Sequence, residues 1–110
     1  MSAFFESEII KDALDDINKL QEDVYGKLVH FHMMTYDEQI DHVSKLTELL
    51  DKQRIMYTRL SLSDDPDAVT MKESLNKTVT MMGYPEGTDI AVLFKNMHAT
   101  IDALKEFLEA

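Results

Sequence analysis

The stretch IKDALDDINKLQEDVYGKLVHF, residues 10–31, decides the fold of this chain. Its apolar side chains recur in steps of three and four, at Ile10, Leu14, Ile17, Leu20, Val24, Leu28 and Phe31. This spacing places them on one face of an α-helix, because three or four residues make about one helical turn. The stretch therefore predicts a long amphipathic helix whose apolar face is covered by other helices.

Turn signals divide the rest of the chain into three further helices. Thr35 and Glu38 have the spacing of a capping box, which starts a helix. Pro66 follows several aspartates and suits a first helical position, while Gly83 suits a helix end. Asp89 opens the last apolar stripe. The four helices are expected at about residues 5–33, 36–61, 66–82 and 89–109.

Four amphipathic helices in 110 residues indicate one all-α domain spanning residues 1–110. The turn between the first two helices is short, so they are expected to form a long antiparallel hairpin. The predicted architecture is an antiparallel four-helix bundle built on that hairpin.

Composition excludes several classes of function. The net charge of −10 opposes direct binding to nucleic acid or anionic lipid, since both are recognised by Lys and Arg. The absence of cysteine excludes disulfides and thiolate metal sites. The sequence contains neither an apolar run long enough to cross a membrane nor a signal peptide, so a cytoplasmic location is expected.

Carboxylates spaced three apart are the weak candidates for a metal site. Asp12 and Asp15 on the first helix and Glu38 and Asp41 on the second resemble the paired acids of Mg²⁺-dependent helical nucleotide pyrophosphatases. A chain with this many acids contains pairs of acids three residues apart by chance, and such pairs are also common on solvated helix faces. The sequence therefore favours hydrated surface acids here, and no cofactor is expected.

Histidines and arginines give no catalytic pattern. The histidines lack the spacing of a metal-binding helix motif, and His42 is expected to form an ordinary surface pair with Glu38. Arg54 and Arg59 lie near the end of the second helix, before the acidic turn. Arg59 is expected to bind that turn; the alternative is that the arginines bind an anion or a carboxylate of a partner.

Apolar residues outside the regular stripes are the candidates for binding another chain. They lie at the start of the chain, around the first turn and at the end of the third helix: Phe4, Phe5, Met33, Met34, Tyr36, Met81 and Tyr84. Flexible methionines suit adaptable binding surfaces. A homo-oligomer is the simplest arrangement that would cover them.

Several short motifs also carry a resemblance to a known family. The motifs are Phe4-Phe5-Glu6-Ser7-Glu8-Ile9, Tyr25-Gly26-Lys27, Arg54-Ile55 with Arg59, and Leu62-Ser63-Asp64-Asp65. The chain resembles a family of short helical proteins of cyanobacteria and their phages, a domain of unknown function. It differs from that family between Leu28 and Met33, where it carries an additional turn or two of helix. The resemblance implies a cytoplasmic protein and no established site residues.

These observations favour a non-enzymatic interaction or regulatory module that self-associates and binds a host protein. One alternative is the Mg²⁺-dependent nucleotide hydrolase described above. The other is an acidic mimic of nucleic acid that occupies a basic regulator.

Overall fold

The computed structural model describes residues 3–110, and this part of the chain is helical with no strand. Its elements are α1 (Ala3–Glu6), α2 (Glu8–Leu28), a 3₁₀ helix (Phe31–Met33), α3 (Tyr36–Leu62), α4 (Pro66–Met81) and α5 (Ile90–Glu109). The prediction of an all-α fold is therefore confirmed. No helix within residues 3–110 has the length and hydrophobicity needed to cross a membrane.

The start of α3 is fixed by the capping box that the sequence predicts. The backbone N–H of Glu38 donates to Oγ1 of Thr35 at 3.2 Å, and the N–H of Thr35 donates to Oε1 of Glu38 at 3.3 Å. Two donors that a helix start leaves without partners are thus satisfied reciprocally. The observed helix, Tyr36–Leu62, ends one residue beyond the predicted limit.

The first predicted helix, over residues 5–33, is wrong at both ends. Ser7 has an extended backbone (φ −61°, ψ 132°) and separates α1 from α2. At the other end α2 stops at Leu28, and a 3₁₀ turn follows where additional helix was expected. The chain must reverse into α3 here, and Phe31 packs against His42 instead of continuing the α2 stripe.

The remaining helix ends follow their sequence signals closely. Asp65 caps α4 by accepting the N–H of Asp67 at 3.0 Å, and Pro66 occupies the first helical position. Gly83 has a positive φ of 102° directly after the helix, a conformation that glycine adopts without steric cost. Asp89 caps α5 through the N–H of Ala91 at 2.8 Å. Both helices match their predicted ranges to within one residue.

Helix α3 is central and has apolar contacts on two sides. It runs antiparallel to α2, because Asp23 pairs with Lys45 while Asp16, earlier in α2, pairs with Lys52. One buried cluster joins α2 to α3: Ile10, Ile17, Val24, Leu49, Met56, Leu60 and Ala68. A second joins α3 to α4 and α5: Leu50, Tyr57, Val79, Ile90 and Phe94. The helices are thus organised around two hydrophobic clusters, in a body measuring 46 × 34 × 19 Å.

The two clusters arise from seven-residue spacing on the facing helices. On α2 the buried residues Ile10, Ile17 and Val24 are seven apart. On α3 one row contains Leu49 and Met56, and the adjacent row contains Val43, Leu50 and Tyr57. Rows with this period remain in register along antiparallel helices. Two adjacent rows give α3 an apolar face wide enough for partners on both sides.

Candidate functional site

The turn between α2 and α3 and the adjoining helix ends expose five large apolar side chains within residues 25–36. Met33, in the 3₁₀ helix, is 75% exposed, and its neighbours along the turn are also exposed. We call this group the tip surface; its members are Tyr25, Leu28, Val29, Met33 and Tyr36. Burying such side chains against a partner is favourable, so a surface of this kind is a candidate binding site.

Acidic residues are missing from this part of the chain. Residues 24–36 contain no Asp or Glu, although the chain has 21 of them in 110 residues. The one lysine, Lys27, forms an ion pair with Asp23 at 3.0 Å. His30 and His32 are exposed beside it. Residues 24–36 are therefore an apolar stretch without acids on a molecule whose net charge is −10, bordered by Asp23 on one side and by Asp37 and Glu38 on the other.

A buried histidine lies beneath the tip. His42 on α3 is 2% exposed, and its ring centroid is 5.5 Å from that of Phe31. Neither ring nitrogen has a hydrogen-bond partner among residues 3–110. Burial lowers the pKa of His42, and the positive charge of Lys27 adds to that effect. The imidazole is therefore held in its neutral form.

The expectation of a surface pair between Glu38 and His42 is wrong, because Glu38 is exposed in the capping box while His42 is buried. The burial of His42 could have been predicted from its spacing in the sequence. His42 precedes Leu49 by seven residues and so begins the row that contains Leu49 and Met56. A polar residue in an apolar row is the mark of a buried side chain with a particular role.

The apolar residues that the sequence grouped as partner-binding candidates lie at three separate places. Phe4 and Phe5 are half-buried against the α2–α3 cluster, in edge-to-face contact with ring centroids 4.9 Å apart. They therefore stabilise the fold. Met33 and Tyr36 belong to the tip surface, and Met34 is half-buried beside His42.

The third place is the end of α4. Met81 there is 86% exposed. Tyr84 is half-buried against the α3–α4–α5 cluster, and its hydroxyl accepts a hydrogen bond from Nδ2 of Asn96 at 3.2 Å. The structure therefore assigns these two neighbours to different environments, one facing solvent and the other supporting the core.

The two arginines do not act on the acidic turn. Nη2 of Arg54 lies 3.9 Å from Oδ1 of Asp51, a distant pair within α3. Arg59 is exposed, and no carboxylate of residues 3–110 lies within ion-pair distance of it. The turn is held instead by Asp65, whose Oδ2 accepts the backbone N–H of Phe4 at 3.0 Å. The expected contact between Arg59 and the turn is not observed.

The four carboxylates considered for Mg²⁺ are exposed and engaged elsewhere. Asp15 pairs with Lys19 at 2.9 Å, Asp41 pairs with Lys45 at 3.4 Å, and Glu38 caps α3. The fourth, Asp12, is also exposed.

The antiparallel register keeps these acids apart. Asp16 lies level with Lys52, which places Asp15 about 12 residues from Asp41 along the hairpin, or roughly 18 Å. Within residues 3–110, no three His, Asp or Glu side chains are arranged to hold a metal ion. The structure does not bring the candidate ligands together.

Comparison with known proteins gives one match. A family described as a domain of unknown function, DUF1825, matches residues 2–108. No curated protein and no solved structure matches the chain.

Proposed function

We propose that this chain, which belongs to the DUF1825 family of unknown function, is a non-enzymatic interaction module that self-associates through its tip surface. The partner is a second copy of the chain, with the two hairpin tips in contact. The observation that carries the proposal is the coincidence, at one end of the hairpin, of exposed large apolar side chains with a stretch, residues 24–36, that contains no Asp or Glu.

Charge is the reason for choosing tip-to-tip contact. Two molecules of net charge −10 repel each other, and the repulsion is strongest where carboxylates approach within a Debye length of about 8–10 Å. Residues 24–36 contain no carboxylate, and two bordering acids are engaged, Asp23 with Lys27 and Glu38 in the capping box, so two tips can approach with less repulsion than surfaces lined by unpaired acids. A contact between identical surfaces also closes with twofold symmetry and produces a dimer.

The side chains of the tip surface suit this role. Tyrosine and methionine are enriched in the cores of protein interfaces, and methionine adapts its shape to a partner. Tyr25 and Leu28 project from the last turns of α2, and Tyr36 is the first residue of α3. The buried residues Val24 and Val43 support those two helices from beneath, so the surface rests on a packed part of the fold.

Other exposed apolar residues lack the same surroundings. Leu62 is 83% exposed but precedes Asp64 and Asp65 in the acidic turn. Phe107 is 77% exposed but lies between Glu106 and Glu109. Each of them stands beside acids without a comparable group of exposed apolar neighbours, whereas the tip surface has five such residues within residues 25–36. Both positions therefore serve as matched controls for the tip.

The test compares solution mass in three proteins by light scattering and sedimentation. We expect the wild type to reach about 25 kDa, twice the chain mass of 12.7 kDa, as its concentration rises into the micromolar range. The double variant Val29→Glu/Met33→Glu introduces acids into the tip and should remain at 12.7 kDa. The double variant Leu62→Glu/Phe107→Glu adds the same charge elsewhere and should still dimerise.

Two results would overturn the proposal. The first is a wild type that stays at the chain mass up to millimolar concentration. The second is loss of the dimer in the Leu62/Phe107 control with retention in the tip variant. Far-ultraviolet circular dichroism of both variants checks that a change of mass does not reflect unfolding.

A further inference from the structure

The turn between α2 and α3 covers His42 through a small number of contacts. The phenyl ring of Phe31 packs against the imidazole, with centroids 5.5 Å apart. The carbonyl of Phe31 accepts two hydrogen bonds, from the N–H of Met34 at 3.1 Å and from Nε2 of Gln39 at 3.0 Å. The N–H of Met33 donates to the carbonyl of His30 at 2.9 Å. Short segments held by so few bonds open more readily than the helices they connect.

The charged groups around His42 come from both packed helices. Asp23 and Lys27 face it from α2, and Asp41 and Lys45 face it from α3. Glu38, also on α3, lines the same small cavity, and its carboxylate accepts the N–H of Thr35. The other groups pair with one another: Asp23 binds Lys27 at 3.0 Å and Lys45 at 3.3 Å, and Lys45 also binds Asp41 at 3.4 Å. No acid among residues 3–110 lies at hydrogen-bond distance from either imidazole nitrogen.

A proton on His42 would therefore create a buried cation with no hydrogen-bond acceptor among residues 3–110. A charged group that is buried without a hydrogen-bond partner has a much higher free energy than the same group in water. A local movement removes this free-energy cost with the least disruption of the fold. If the turn moves away, the ring reaches water while α2 and α3 stay packed below it. The buried rows at Val24, Leu49 and Leu50 do not depend on the turn.

We propose that the turn is a pH-sensitive cover, which closes over neutral His42 and opens when His42 is protonated. Opening displaces residues 29–34, which precede the capping residue Thr35, from α3 and exposes the Phe31 ring. This inference concerns the monomer and stands without the proposed self-association. A second consequence rests on the proposed function: opening moves Val29 and Met33 and so weakens tip-to-tip contact.

The test is hydrogen exchange of the turn, measured by mass spectrometry on peptides that cover residues 29–35 at pH 7.5 and pH 5.5. Protection factors are corrected for the intrinsic pH dependence of exchange and measured at dilutions where the protein is monomeric. In the wild type, protection of the Met33 and Met34 amides should fall on acidification, by at most about tenfold per pH unit for one proton. Peptides from the middle of α3 should show a smaller change.

Two variants separate His42 from other effects of acid. His42→Leu continues the apolar row of Leu49 and Met56 and removes the titrating group, so its turn should stay equally protected at both pH values. His32→Gln removes an exposed histidine of the same turn and should behave like the wild type. An equal loss of protection in His42→Leu, or no loss in the wild type, would overturn the proposal.

A second measurement on the wild type covers the case in which His42→Leu does not fold. Nuclear magnetic resonance follows the His42 ring protons and the Met33 and Met34 amides through one titration. The proposal requires a common midpoint for the ring and the amides. Distinct midpoints would contradict it. If the cover behaves as proposed but the wild type is monomeric at all concentrations, only the self-association is wrong.

Discussion

The backbone N–H of Phe4 donates a hydrogen bond to Oδ2 of Asp65, 3.0 Å away, across 61 residues of sequence. This bond attaches α1 to the turn between α3 and α4. The other carboxylate oxygen of Asp65 accepts the N–H of Asp67 and caps α4. One side chain thus fixes the start of the chain and the direction in which α4 leaves the hairpin.

Replacing Asp65 tests that double role. Asp65→Ala removes the cap and the acceptor for Phe4, so we expect the unfolding free energy to fall by about 1–3 kcal/mol. Its exposed neighbour provides a matched control, and Asp64→Ala should change stability by roughly 0.5 kcal/mol or less. Urea denaturation followed by circular dichroism gives both values. Equal effects in the two variants would show that charge in the turn, rather than these bonds, determines its stability.

The seven-residue rows of α2 make a second prediction about stability. Ile17 is buried between α2 and α3, whereas Ile9 on the same helix is 67% exposed. Ile17→Ala leaves a cavity in the cluster and should cost about 2–4 kcal/mol of unfolding free energy. Ile9→Ala makes the same chemical change at the surface and should cost roughly 0.5 kcal/mol or less. Urea unfolding of the pair measures the contrast, and similar losses would contradict the assignment of the buried row.

These elements show where sequence patterns were sufficient. Residues 36–62 form a helix because a capping box, helix-forming residues and an apolar stripe all favour the same structure. Asp65, Pro66 and Gly83 set the limits of α4 through local backbone chemistry, which is readable without any tertiary contact.

Tertiary contacts decided the features that the sequence did not predict. The α2 stripe includes Phe31 in helical phase, yet the chain turns after Leu28 so that Phe31 covers His42. On α3 two adjacent rows are buried, because partners pack on both sides of that helix. Only part of the candidate site could be predicted, because tertiary packing decides the rest. Met33 and Tyr36 were identified from their position at a turn, but the burial of His42 depends on packing by α2.

Two glycines provide a third prediction, because replacing one by alanine should lower the stability of the fold and replacing the other should raise it. Gly83 ends α4 with a φ of +102°, which L-residues rarely adopt, so Gly83→Ala should destabilise the fold by about 1–2 kcal/mol. Gly26 lies inside α2, and a Cβ atom there would meet no atom within 4 Å. Gly26→Ala should therefore stabilise the protein by about 0.5–1 kcal/mol. Thermal unfolding compares the two, and a destabilised Gly26→Ala protein would contradict the helical, open environment of that residue.

The fourth prediction concerns the effect of pH on global stability. The folded state lowers the pKa of His42 below its ordinary value of 6.5, mainly through burial. When the pH falls below 6.5, the unfolded chain therefore binds the proton more readily than the folded chain does, and the unfolding free energy decreases. Above 6.5 the ring is neutral in both states and adds no pH dependence.

Asp23, close to His42, acts in a different pH window. The hydrogen bonds from Lys27 and Lys45 lower the pKa of Asp23 below 3.8, so the stabilisation linked to Asp23 is lost only in stronger acid. Between pH 7.5 and 5.0 we expect the wild type to lose stability relative to His42→Leu, with a limiting slope of about 1.4 kcal/mol per pH unit for one proton. Urea titrations of both proteins at intervals of half a pH unit measure this difference. Parallel curves for the two proteins across that range would mean that His42 takes up its proton equally well in the folded and unfolded chains, contrary to its buried position beneath Phe31.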